Sequence, residues 1–494
     1  MGYIKGTARK QQTLLPEILD EYIAEENPAR VIDAYINSLS LEELGIKASP
    51  SATGRPPYNP QDMLKLYIYG YFNRIRSSRR LETETARNVE LMWLMQKLTP
   101  DHKTIARFRK DNAKGLKNVF RNFVQLCKAL NLYGRELVGI DGSKFEAVNA
   151  TDNNFNQAKL KDRIRRIDEK LEKYLSELNE NDKQETDNPR HTKEEIVAII
   201  GELSTRKQTY EDLKTHLEET GETQISTTDP DAKRMKTAQG ASDIFYNVQS
   251  AVDAKHNLVA DFDVTNHCND KNLLAPMAKS VKEILGVEEM EVVADASYFV
   301  ASDIAECIAN GITPHVSSDQ ESITISLPST EEESNTAKEF TNKGKPIYVK
   351  ERNIGICPMG TILYPRSYSK GHGAAIYSNA KACKNCPHRK RCPSYYDREL
   401  RVKMPRSEFS KEYNDEGLHT KQINIKPDKE KLRQRKSIVE HPFGTIKRGM
   451  DTTHCLLKGI DNVRGEFALT FLAYNLKRVI NILGAPRLLE AIMA

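Results

Sequence analysis

The sequence predicts an α/β protein: a small mixed sheet, entered through a helical region and split by two insertions. Three observations predict it. Glu136-Leu-Val-Gly-Ile-Asp141 and Glu291-Val-Val-Ala-Asp295 are short apolar runs that each end in an aspartate, the pattern of a buried strand. Phe245 to Val252 and Leu258 to Thr265 alternate in part and flank the turn Asp253-Ala-Lys-His256, as paired strands do. Long stretches elsewhere carry their apolar residues at helical spacing. At 494 residues the chain is long enough for about three domains.

Residues 1–130 read as helical. Met63, Leu64, Leu66, Tyr67, Tyr69, Tyr71 and Phe72 are apolar almost all round, so their helix should be buried. Arg74, Arg76, Arg79 and Arg80 follow. After a turn at Leu98-Thr-Pro-Asp-His102, a basic helix begins, with Asp101 as its N-cap. Helix, turn and a helix exposing Lys103, Arg107 and Lys110 form the layout of a helix-turn-helix reader of the major groove. An ordinary bundle with a basic face would carry the same pattern.

Residues 131–154, 240–316 and 430–485 should hold the sheet and its covering helices. The helices are expected near 271–285, 430–448 and 463–483, and a last short strand at Gly311 to Val316. Between these pieces lie two insertions. Over 155–239, Leu160, Ile164, Ile167, Leu171, Leu175 and Leu178 recur at helical spacing; Ile196, Ile199, Ile200, Leu203, Tyr210, Leu213 and Leu217 resume it. This predicts an antiparallel helical hairpin. Residues 317–429 read as an irregular polar insertion.

The net charge of +5 hides a strong asymmetry. Residues 58–128 carry 15 Lys and Arg against 6 Asp and Glu, and 381–448 carry 19 against 9. Residues 155–222 are acidic, 13 against 17. Two basic blocks suit a polyanion such as nucleic acid. No apolar run of about 18 residues is present, so no membrane span is expected. The basic start lacks an apolar stretch behind it, and a cytoplasmic location is the expectation.

Eight cysteines in this length do not make a disulfide scaffold. Cys383-Lys-Asn-Cys386 is a knuckle that can bring two thiolates to one face of a tetrahedral ion. With Cys392 and Cys357 it makes a candidate structural Zn²⁺ site, and His388 is a spare ligand. Reduced surface thiols are the plain alternative.

Three acids stand out. Asp141 and Asp295 each close a strand, and Glu440 sits in the helix near 430–448. Crowded carboxylates repel each other and call for divalent cations. Two Mg²⁺ (or Mn²⁺) ions can activate an attacking oxygen and stabilise a leaving one in phosphodiester cleavage. Lys447 lies seven residues after Glu440 and Lys436 four before it, which on a helix is one face.

Taken together, Gly139-Ile-Asp141-Gly-Ser-Lys144, Phe245-Tyr-Asn-Val-Gln249, Val293-Ala-Asp295-Ala-Ser-Tyr298, Val439-Glu440-His-Pro-Phe-Gly-Thr-Ile-Lys447 and Tyr474-Asn-Leu-Lys-Arg478 resemble the bacterial insertion-sequence transposases with a DDE catalytic core. Pro57 to Asp111 resembles their N-terminal DNA-binding region. The likeness runs from about residue 16 to 483, and the cysteine insertion is typical of one branch. The resemblance implies a ribonuclease-H-like core, with Asp141, Asp295 and Glu440 as the metal-holding catalytic triad. It implies that Lys447 contacts a DNA terminus. Many relatives have Tyr and Arg at the places held here by Arg433 and Lys436, which keeps charge but loses a ring. It further implies binding to terminal inverted repeats and target DNA, strand cleavage, 3′-hydroxyl strand transfer, and a homodimer on paired ends in the bacterial cytoplasm at the nucleoid. Two rivals share these residues: a nuclease on the same fold that does not join strands, and a silent DNA-binding protein derived from a transposase.

Overall fold

A computed structural model describes residues 18–47, 56–183, 191–237, 240, 242–317, 323–328, 346–357, 361–384, 386, 399–413, 420–425 and 427–494. The N-terminal region is helical: α1 (Pro28–Asn37), α2 (Pro60–Phe72), α3 (Ser78–Arg87), α4 (Val89–Leu94), α5 (His102–Asp111) and α6 (Ala113–Ala129). Every residue of α2 from Asp62 to Phe72 is buried, as its apolar circumference requires. Asp101 caps α5 by accepting from the backbone of Lys103 and Thr104, both at 3.0 Å.

The main sheet contains β1 (Leu137–Glu146), then, after the short pair β2 (Asn154–Phe155) and β3 (Ile225–Ser226), β4 (Lys233–Lys236), β5 (Ser242–Asp253), β6 (Val259–Thr265), β7 (Met290–Ala294) and β8 (Ile312–Val316). Its order is β4-β5-β1-β7-β8, and β6 also pairs with β5. β5 runs antiparallel to β1 and to β6, whereas β7 and β8 run parallel to β1. Helices α9 (Leu274–Leu285) and α10 (Ala301–Ala309) connect the later strands. The predicted strand at 136–141 is longer than its apolar run, because the 12-residue β5 zips along β1 as far as Glu146.

Between β2 and β3 stand α7 (Gln157–Lys183) and α8 (Lys193–Thr220), the expected hairpin, with a small core of its own built on Phe155, Leu160, Ile167, Tyr210 and Leu217. Leu175 departs from the pattern and is 48% exposed.

The segment expected to be irregular contains a sheet instead. β10 (Ile347–Val349), β11 (Ile354–Ile356), β12 (Ile362–Ser369), β13 (Ala374–Ser378) and β14 (Glu399–Lys403) form a five-stranded antiparallel sheet, and β9 (Ile323–Pro328) pairs with β15 (Thr420–Ile425). Among the described residues its buried cluster is Leu363, Ala375 and Tyr377 with partly buried neighbours, too small to stand out in the sequence. The short α11 (Ala380–Lys384) follows β13.

The chain closes with α12 (Lys429–Gly444), a π-helical turn over Thr445–Gly449, α13 (Ile460–Leu483) and α14 (Ala485–Met493). One hydrophobic core runs from Ala29 to Leu488 and joins the N-terminal helices, the main sheet and α13. Arg76 and Arg109, which belong to a basic block, are buried in this junction. Arg76 pairs with Glu466 at 2.6 Å, and Arg109 donates to the Tyr71 hydroxyl at 2.8 Å. No helix among the described residues is long and apolar enough to cross a membrane.

Candidate active site

Asp141 lies just past the point where the parallel β1–β7 ladder ends. Leu137, Val138 and Gly139 pair with Glu291, Val292 and Val293. Continuing that register by two residues sets Asp141 level with Asp295, which follows the last residue of β7. Side chains alternate across a strand. Gly139 and Asp141 therefore share the face covered by α12. A Cβ on Gly139 would come within 2.5 Å of Val439 Cγ1, so glycine is what lets α12 lie this close to the strand.

The pair is electrostatically frustrated. Burial, then the charge of Asp295, pushes the Asp141 carboxyl up to about 7; Arg435 and the Gly142 backbone act against this, and Asp270 adds to it. Lys447 is also half-buried and is driven below the ordinary lysine range by burial, with Asp141 opposing the shift. Its ammonium donates to the Lys144 carbonyl at 3.0 Å and lies 4.6 Å from the Phe145 ring centroid. Lys447 thus stands along β1 beside Asp141. The π-helical turn after Gly444 breaks the simple seven-residue spacing from Glu440. Glu440 and Lys436 are exposed on α12, while the half-buried Arg435 is the cation of that helix that Asp141 senses. Arg435 was not legible: its helix has cations at five positions, and only packing selects one.

The opposite face of the sheet carries a polar cluster. Asp270 accepts from Asn247 at 2.8 Å and from Gln249 at 2.9 Å on one oxygen, and from the Ser297 hydroxyl at 3.1 Å on the other. The buried Tyr298 donates to Gln249. Ser297 also donates to Asp295 through its amide at 2.8 Å and its hydroxyl at 2.5 Å. Gly142 faces this cluster: a Cβ there would sit 2.2 Å from Gln249 Nε2 and 2.7 Å from Asp270 Oδ1. Gly142→Ala is expected to destabilise the protein by about 1–3 kcal/mol through overpacking, read as a lower urea midpoint with unchanged slope.

A carboxyl raised by burial and crowded by a second carboxylate has the chemistry of a divalent-cation site, and the Asp141–Asp295 pair fits one. Among the described residues, however, no group of three or more His, Cys, Asp or Glu is gathered closely enough to hold a metal ion. Glu440 is therefore not brought to the pair as a third ligand. The same holds for Cys357, Cys383 and Cys386. Cys357 follows β11, and Cys383 lies on α11 with Cys386 just beyond it. Cys392 and His388 lie outside the described residues. The N-terminal cations fare differently: Lys103, Arg107 and Lys110 are all exposed on α5.

Sequence motifs at the end of the chain have structural roles. Asn475 exchanges two hydrogen bonds with the Val259 backbone, at 2.8 and 2.9 Å. Arg478 donates to His256 O at 2.6 Å and to His441 Nε2 at 3.2 Å. His441 is then neutral with its proton on Nδ1, facing the Tyr474 hydroxyl at 2.8 Å. Burial and Arg478 hold its pKa down, in keeping with that state.

Two parts of the chain match known transposase domains. A transposase domain (DUF772) matches residues 17–111, which include α1 to α5. A transposase DDE domain matches residues 356–480, which include Glu440 and Lys447. No match was found among curated proteins. A solved piggyBac transposase synaptic complex with hairpin DNA is similar at 8% identity, covering 94% of this chain and 79% of that one, with a TM-score of 0.30. The two family matches, one towards each end, support an insertion-sequence-type DDE transposase.

Proposed function

We propose that the protein binds the terminal inverted repeats of an insertion sequence, cuts a strand at each end with Mg²⁺, and transfers the freed 3′-hydroxyl to target DNA. The observation that carries this reading is the half-buried Asp141 set level with Asp295, just past the point where the parallel β1–β7 ladder ends. The strand order, with an antiparallel meander on one side of β1 and parallel strands on the other, supports a ribonuclease-H-like core.

Asp141 and Asp295 would hold Mg²⁺ or Mn²⁺, with Glu440 approaching from α12 when DNA is present. When bound, two such ions neutralise charge at the scissile phosphate and make an attacking oxygen more acidic. The protein's own residues do the positioning. Lys447 and Arg435 place positive charge beside Asp141, where a phosphate would lie. Lys103, Arg107 and Lys110 on α5 would engage the duplex, with the N-terminal turn of the helix towards the bases. The protein would work as a homodimer that brings two ends together.

The test uses labelled element ends, purified full-length protein and Mg²⁺. Wild type should cut the end and, with pre-cut ends, join them to a target duplex. Asp295→Asn should lower cleavage by about 10³-fold, the scale for removing transition-state charge stabilisation, while end binding by gel shift persists. Full cleavage by Asp295→Asn would refute the site. Cleavage without joining would favour the plain nuclease, and end binding without cleavage the silent DNA-binding protein.

A further inference from the structure

We propose that Asp270 is a positioning residue for Asp295, acting through Ser297, and that it thereby sets how tightly the aspartate pair takes a divalent cation. The inference rests on the catalytic reading of that pair.

Asp270 lies in a polar link between β6 and α9, where nothing in the sequence marks it. The fold gives it three donors. Asn247 and Gln249 point into it from β5, and the Ser297 hydroxyl reaches it from the turn after β7. The same Ser297 hydroxyl lies 2.5 Å from Asp295 Oδ1 and 3.1 Å from Asp270 Oδ2. One hydroxyl proton cannot serve both acceptors at once, so the serine oxygen is shared between two carboxylates. The Ser297 amide adds a second, fixed bond to Asp295 Oδ1. One oxygen of Asp295 is thus engaged by Ser297.

Four residues make the arrangement specific. Gln249 is clamped by the Tyr298 hydroxyl, so its amide cannot turn away from Asp270. Asn247 and Gln249 are also bonded to each other at 3.1 Å. Gly142, directly across from Gln249 in the β1–β5 register, has no side chain to occupy the space. A hydrogen-bonded partner behind a metal-binding carboxylate fixes its orientation; losing such a partner costs about 10–100-fold in metal affinity.

The experiment is a Mn²⁺ titration of the full chain without DNA, by calorimetry, well below the melting temperature. Ser297→Ala leaves the bonds from Asn247 and Gln249 to Asp270 in place. Asp270→Asn keeps an acceptor for them but removes the charge. Both variants should bind Mn²⁺ about tenfold more weakly than wild type. Ser297→Thr, which keeps the hydroxyl, should restore wild-type affinity. A merely structural cluster would lower the melting temperature of all three and leave Mn²⁺ affinity unmoved, which would overturn the positioning role alone. Wild type and Asp295→Asn binding Mn²⁺ equally would instead overturn the catalytic reading of the pair, and this proposal with it.

Discussion

Glu466→Ala should cost about 3–5 kcal/mol of folding stability, the largest loss expected from one substitution outside the sheet. Glu466 is fully buried on α13. It accepts from Arg76 at 2.6 Å, from the Leu456 amide at 2.9 and 3.1 Å, and from the Leu457 amide at 3.1 Å. Arg76 in turn donates to the carbonyls of Asp451 and His454. Removing the carboxylate strands a buried guanidinium and leaves two part-buried amides without their acceptor. Glu466→Gln, which keeps one acceptor oxygen, should cost less. Urea unfolding of the three proteins checks the order; equal midpoints would show that the junction is not held by this pair.

Asp141→Asn is expected to act in two opposite directions. Cleavage should fall as far as in Asp295→Asn. The metal-free protein should become more stable at pH 8, on the order of a few kcal/mol. The sign follows from linkage. The folded-state pKa of Asp141, about 7, lies above the value of about 4 for an unfolded aspartate. Between those values the folded chain keeps a proton that the unfolded chain gives up. Stability from this group is present below about pH 4 and is lost as pH rises through 7. Asn cannot lose a proton, so the variant should show none of this slope. Added Mg²⁺ at pH 8 should raise the melting temperature of wild type and leave that of Asp141→Asn nearly unchanged. Parallel pH profiles of stability for the two metal-free proteins would contradict the account.

Some of this was legible in the residues. The strand cores, the helical hairpin, the Asp101 cap and the two aspartates each rest on a local pattern, and local patterns survive folding. What stayed hidden depends on pairing across the chain. Asp270 gains meaning only when β5 lies beside β1 and the turn at Ser297 closes over it. Arg76 reads like its neighbours Arg74, Arg79 and Arg80 until Glu466, 390 positions later, is packed against it. Lys447 was placed by counting α-helical turns, and the π-helical turn at 445–449 changes the count. The five-stranded sheet in the second insertion has strands of three to eight residues, too short for alternation to rise above chance.

The burial of Arg76 has a consequence for geometry on DNA. Its guanidinium ties the segment after α2 to the loop 451–454, and that loop pairs with the end of β1 through Cys455 N to Glu146 O at 2.7 Å and Glu146 N to Thr453 O at 3.3 Å. Asp141 lies five residues back along the same strand. If α5 grips a duplex as proposed, that duplex would be held by a rigid gauge rather than by a tether. The number of base pairs between the gripped sequence and the severed bond would then be a constant of the fold, fixed by the span from α5 to β1.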